Sequence, residues 1–96
     1  MVKINVFGRD GCELCDATKR KLNHFLTKWD MHKKVEMIFH DMDTVDGRAE
    51  GAFHDVEDIP TTIVERGGEA VARWNKAVPN SDRIRAAIED LTNAAH

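Results

Sequence analysis

The stretch whose reading decides the fold is Val2-Lys3-Ile4-Asn5-Val6-Phe7-Gly8-Arg9-Asp10-Gly11-Cys12-Glu13-Leu14-Cys15. Its opening residues set Val2, Ile4 and Val6 against Lys3, Asn5 and Phe7, the period-two alternation of a strand that stops at Gly8. Gly8-Arg9-Asp10-Gly11 reads as a turn, and a helix is expected from Cys12 to near Asp30. Leu14, Thr18, Leu22, Phe25, Leu26 and Trp29 recur at helical spacing and predict its apolar face. Lys19, Arg20, Lys21 and Lys28 fill much of the polar side, a solvated face that also suits an acidic partner. A strand thus feeds a helix through a tight turn, with two cysteines at the junction.

Beyond this unit, Val35-Glu36-Met37-Ile38-Phe39-His40 reads as a second strand, closed by Asp41-Met42-Asp43. A short helix is expected between Thr44 and His54, with Val45, Ala49, Ala52 and Phe53 as its apolar face. Gly47 and Gly51 weaken it by up to ~1 kcal/mol each relative to alanine. Ile59-Pro60 precedes Thr61-Thr62-Ile63-Val64-Glu65, a β-branched strand. Arg66-Gly67-Gly68-Glu69 then turns it back into Ala70-Val71-Ala72-Arg73-Trp74. After Pro79, Asn80 or Ser81 caps a last helix whose buried stripe is Ile84, Ala87, Ile88 and Leu91. The order βαβαββα predicts an α/β domain, a mixed sheet with helices on both faces.

The composition bounds what such a chain does. Ninety-six residues with 42% hydrophobic and 32% charged content suit one soluble domain spanning 1–96. No stretch free of Asp, Glu, Lys and Arg exceeds six residues, whereas a membrane-spanning helix needs roughly 20 apolar ones. No apolar run near Met1 suits a secretory signal, so a cytoplasmic location is expected. A net charge of −3 argues against a general nucleic-acid binder.

Cys12 and Cys15 are the only cysteines, and a disulfide-stapled secreted domain of this size usually carries four or more. A single Cys-x-x-Cys pair is redox-active, metal-bound or incidental. A zinc site needs about four ligands, yet no second cysteine pair exists and His24, His32, His40 and His54 lack the usual histidine spacing. Asp16, not histidine, follows Cys15, so the c-type haem motif is absent and no cofactor is expected. At a helix start, unpaired N–H groups and the macrodipole stabilise a thiolate. Cys12 is therefore the expected exposed nucleophile and Cys15 the buried resolving thiol. Cys12 attacks a disulfide, and Cys15 then displaces the bound half. Glu13 and Asp16 oppose a neighbouring thiolate, Arg9 offsets them if it turns inward, and a reducing rather than strongly oxidising couple is expected.

The segment from Val6 to Cys15 resembles the active-site segment of glutaredoxins, a short strand leading into Gly-Cys-x-x-Cys. Phe53 to Thr62 is similar to the thioredoxin segment ending in Ile-Pro-Thr, and Gly67 to Trp74 resembles the final thioredoxin hairpin. The likeness covers nearly the whole chain in order. It implies a thioredoxin fold, a four-stranded mixed sheet flanked by three helices, with Pro60 cis and packed against the Cys-x-x-Cys turn. It also implies that Ile59 pairs with an extended substrate segment, while Pro60 and Thr61 shape the wall. Together with Arg9, Glu13 and Leu14, these make the candidate substrate-binding set. The chain departs from the family at three places. Glu13-Leu14 stands where glutaredoxins have Pro-Tyr and thioredoxins Gly-Pro, Gly11 where thioredoxin has Trp, and Val6 where it has a buried acid.

The resemblance implies a thiol–disulfide oxidoreductase, acting as a monomer on protein disulfides and recharged by an upstream reductase or thiol donor. A glutathione-dependent glutaredoxin, a metal or iron–sulfur module and a redox-incompetent interaction domain are the alternatives. Asp58-Ile59-Pro60 in place of Thr-Val-Pro, with Asp58 and Glu13 repelling glutathione carboxylates, favours the protein substrate.

Overall fold

The computed structural model describes residues 2–93, and for 89–93 the backbone alone. Its elements run β1 (Val2–Gly8), α1 (Glu13–Lys28), β2 (Val35–Asp41), α2 (Val45–Phe53), β3 (Thr61–Arg66), β4 (Glu69–Asn75) and α3 (Ser81–Asn93). This is the expected order, with boundaries within a residue or two of those read from the sequence. Asn80 caps α3, its Oδ1 accepting from the N–H of Asp82 at 2.9 Å.

The sheet order is β2-β1-β3-β4. β1 runs parallel to β2 and antiparallel to β3, and β3 pairs antiparallel with β4, so the sheet is mixed. The β3–β4 hairpin turns at Gly67 and Gly68, whose φ of 57° and 88° match the two left-handed positions of a type I′ turn.

Ile4, Asn5, Val6 and Phe7 of β1 are all buried, because helices cover both faces of this central strand. On one face Val2, Ile4 and Val6 meet Leu22 and Leu26 of α1, Val64, Trp74, and Ile84 and Ile88 of α3. The side chain of Leu91, expected on the α3 stripe, lies outside the described residues. On the other face Phe7 stacks on His40, with ring centroids 4.5 Å apart, and meets His54 at the end of α2 at 5.6 Å. Asn5 is buried there but satisfied: its Nδ2 donates to Glu65 Oε1 at 2.7 Å and its Oδ1 meets His40 Nε2 at 2.9 Å.

Two expected faces are corrected. In α1 the inward stripe is Cys15, Thr18, Leu22 and Leu26, and Leu14 is 46% exposed, so the stripe starts one residue later than hydrophobicity suggested. In α2 the inward residues are Gly47 and Gly51, while Val45 and Phe53 are 76% and 80% exposed and Ala49 and Ala52 also face solvent. The helix lies so close to the end of β2 that a Cβ on Gly47 would collide with the carbonyl oxygen of Asp41. Close approach, rather than apolar area, sets which face turns inward.

Candidate active site

β1 delivers the chain to Gly8 at the end of the sheet where α1 begins. A Cβ on Gly8 would lie 2.7 Å from Cys15 Sγ and 3.1 Å from the Phe39 ring, so only glycine lets Cys15 seat itself against the strand end. Gly11, with φ at 78°, then turns the backbone through the left-handed region immediately before Cys12. Cys12 is the N-cap of α1 in extended conformation, and its Sγ accepts from the N–H of Cys15 at 3.1 Å. Its carbonyl accepts the first helical bond, from Asp16 N at 3.0 Å.

Cys12 and Cys15 form a disulfide, with Cα atoms 5.2 Å apart. Cys12 is partly exposed and Cys15 fully buried, the asymmetry expected from their places on the helix. When the pair is reduced, the helix-start N–H that now meets Cys12 Sγ is in place to hold a thiolate. On the strand behind, Val6 is fully buried and brings no carboxylate to this end of the core.

The charged residues flanking the pair are arranged differently from the expectation for Arg9. Its Nε lies 3.7 Å from Asp43 Oδ1, both side chains well exposed, so the guanidinium is drawn to the β2–α2 loop rather than set against Glu13 and Asp16. Asp16 is met by Lys19 at 3.8 Å. Glu13 and Leu14 both face solvent beside Cys12. The Leu14 carbonyl accepts from the buried hydroxyl of Thr18 at 2.8 Å.

The second half of the site comes from the segment before β3. The Ile59–Pro60 bond is cis. Since Thr61 pairs with Phe7, Pro60 lies level with Gly8, the residue against which Cys15 sits. The Pro60 carbonyl accepts from Lys76 N at 2.7 Å, and Thr61 Oγ1 donates to the Asp58 carbonyl at 2.6 Å. Thr61 is fully buried, so it holds the loop in shape from behind. Ile59 is half-buried, and among the described residues its backbone N–H and carbonyl take no part in strand pairing or other backbone hydrogen bonds.

Two features escaped the sequence reading. The stack of Phe7, His40 and His54 joins three elements, so no local spacing announces it. Burial lowers the pKa of His40 from its ordinary 6.5; nearby Glu50 and Glu65 act against that shift and His54 reinforces it. A cleft of about 380 Å³ also opens beside the cis-proline, lined by Asp55, Glu57, Asp58, Arg73 and Asn75. Among the described residues, no three His, Cys, Asp or Glu side chains converge as a metal site. None of the described helices is long and apolar enough to cross a membrane.

No family model and no curated protein sequence matches the chain. Solved structures do. Thioredoxin-2 of a malaria parasite superposes with a TM-score of 0.78 at 18% identity, over 94% of this chain and 82% of that one. Thioredoxin 1 of Thermosipho africanus gives 0.74 at 19% identity, over 97% of both chains. Oxidised thioredoxin O2 of Arabidopsis thaliana gives 0.74 at 18% identity, over 95% of this chain and 75% of its own. The chain has the thioredoxin fold, and Cys12 and Cys15 stand at Cys-x-x-Cys spacing within it.

Proposed function

We propose that this thioredoxin-fold chain is a thiol–disulfide oxidoreductase that reduces disulfides in protein substrates through the Cys12/Cys15 dithiol. One observation carries the reading: a partly exposed Cys12 caps a helix while a fully buried Cys15 lies within bonding reach of it. The disulfide described here is the oxidised end of the cycle.

In the reduced protein the Cys12 thiolate attacks one sulfur of a substrate disulfide. That S–S bond breaks, one substrate thiolate leaves, and a mixed disulfide joins Cys12 to the other half. Cys15 then gives up its proton to solvent or to the departing thiolate and attacks Cys12 Sγ. The second substrate thiolate leaves, the Cys12–Cys15 bond closes, and two electrons have passed to the substrate. An external reductase or thiol donor returns the pair to the dithiol. The unpaired backbone of Ile59 supports binding of an extended substrate segment by strand addition, with cis-Pro60 fixing the wall. A reducing compartment such as the cytoplasm suits this cycle.

The test is turnover. With dithiothreitol as donor, the protein is expected to accelerate reduction of hydroxyethyl disulfide and of a protein disulfide, while Cys12→Ser falls to the uncatalysed background. Wild-type protein that never exceeds the background overturns the proposal. Turnover with glutathione as the sole effective donor selects the glutaredoxin alternative instead.

A further inference from the structure

Negative charge gathers at one end of the molecule. The redox end consists of segments 9–16, 41–46 and 55–58 with Lys76, joined there by the C-terminal ends of β1 and β2 and the start of β3. These segments carry nine carboxylates against Arg9 and Lys76; with Lys19, which meets Asp16, and Arg73, which lines the cleft at this end, counted as well, the local net charge is −5 in a chain whose total is −3. All other residues therefore sum to +2. Among the described residues, the ion pairs neutralise little of this. Arg9 takes Asp43 and Lys19 takes Asp16, while Asp10, Glu13, Glu57 and Asp58 have no cationic partner.

The shape of the site gathers three of these carboxylates around one opening. The cleft beside Pro60 is lined by Asp55, Glu57 and Asp58 and by a single cation, Arg73, whose donors are taken by neutral oxygens, so the formal charge of the cleft is −2. Arg73 donates to the carbonyls of His54 at 2.6 Å and Asp55 at 2.8 Å and to Asn75 Oδ1 at 2.8 Å. The neighbouring residue Ile59 has the unpaired backbone that an extended peptide needs. Asp58 of this cleft directly precedes Ile59, so a strand paired with the Ile59 backbone would run next to these carboxylates.

We propose that the substrates are disulfides in basic polypeptide segments, in which lysine or arginine near the reacting cysteine is drawn to the acidic redox end and seated in the cleft beside Pro60. This rests on the oxidoreductase reading above and names its substrate class. Field of one sign around a reactive group raises encounter rates with oppositely charged partners by about 10- to 10³-fold at low ionic strength. Screening removes the advantage as the Debye length shrinks from roughly 30 Å at 0.01 M to about 3 Å at 1 M salt. Acidic disulfides, glutathione included, meet repulsion instead.

The experiment is single-turnover reduction by pre-reduced full-length protein of two cystine-linked peptides equal in length, one flanked by lysines and one by glutamates. Hydroxyethyl disulfide serves as the neutral reference. Each rate is divided by that of free mercaptoethanol, which removes the intrinsic reactivity of the peptide. The lysine peptide is expected to exceed the glutamate peptide by at least ~10-fold near 20 mM ionic strength, with the ratio collapsing at ~1 M. The double variant Glu57→Gln with Asp58→Asn is expected to lower that ratio by ~3-fold or more, whereas Lys33→Gln with Lys34→Gln at the far end changes it less. Equal rates for the two peptides, a glutamate preference, or far-end changes as large as those beside Pro60 overturn the inference. Loss of hydroxyethyl disulfide reduction as well places the failure in the oxidoreductase reading.

Discussion

At Gly8, the lack of a side chain is what gives Cys15 a place against the sheet. Gly8→Ala brings a methyl to 2.7 Å from Cys15 Sγ in a region where Phe39 closes the other side. Overpacking of this kind costs ~1–3 kcal/mol, so chemical denaturation is expected to show a loss in that range. A stability equal to wild type would mean that the helix start is free to move away. His40 carries a second residue-level expectation. The folded protein holds its pKa below 6.5, so between that lowered value and 6.5 the unfolded chain binds more protons. Stability therefore rises with pH through this window and falls as pH drops below about 6.5. His40→Gln, which keeps a donor for Asn5 Oδ1, is expected to flatten that slope in urea midpoints measured from pH 5 to pH 7.5. An unchanged slope would assign the dependence to other groups. Neither residue was legible beforehand, for different reasons. A glycine in a turn does not reveal what it makes room for, and His40 acquires its partners Asn5 and Phe7 only when β2 pairs with β1.

Among the elements, α2 separates hydrophobic patterning from packing. Counting apolar residues turned Val45, Ala49, Ala52 and Phe53 inward; the structure turns Gly47 and Gly51 inward. A sequence pattern scores what a side chain contributes and is blind to contact that depends on having none. The two glycines should respond to alanine in opposite ways. Helix propensity alone favours either replacement by about 0.8–1.0 kcal/mol. At Gly47 the new Cβ meets the backbone carbonyl of Asp41, which cannot step aside without breaking the end of β2, so Gly47→Ala is expected to lose ~1–3 kcal/mol. At Gly51 it meets the tip of Met42, with Cε 2.6 Å away, and a methionine end swings clear cheaply. Gly51→Ala is therefore expected to be neutral or to gain up to ~1 kcal/mol. Equal effects at both positions, read from thermal or urea unfolding, would remove the close-approach account. Helix α1 shows a milder version: its Leu14 kept the spacing of the apolar face but lost the place on it to Cys15, which Gly8 admits.

For the whole molecule, the element order was legible because strand alternation, helix spacing and the Gly67-Gly68 turn each announce themselves locally. The four-stranded mixed sheet and the cis bond at Pro60 were not local signals; they came with the resemblance of two spaced motifs, and the fold agrees with both, while the strand order β2-β1-β3-β4 emerged only in the structure. The cysteine pair stood out as a pair of thiols at a helix start, and folding gave it the exposure difference that the chemistry uses. Three-dimensional proximity alone revealed the pairing of Arg9 with Asp43 and the acidic cleft beside Pro60. The central claim is that Cys12 forms the first bond to substrate and Cys15 closes the second. It is tested most directly by reacting reduced Cys15→Ser protein with a disulfide substrate and locating the adduct by mass spectrometry of its peptides. The account predicts one persistent mixed disulfide at Cys12, with none formed at a comparable rate by Cys12→Ser through Cys15. An adduct at Cys15 in Cys12→Ser forming as fast as that at Cys12, or no adduct in either variant, would contradict it.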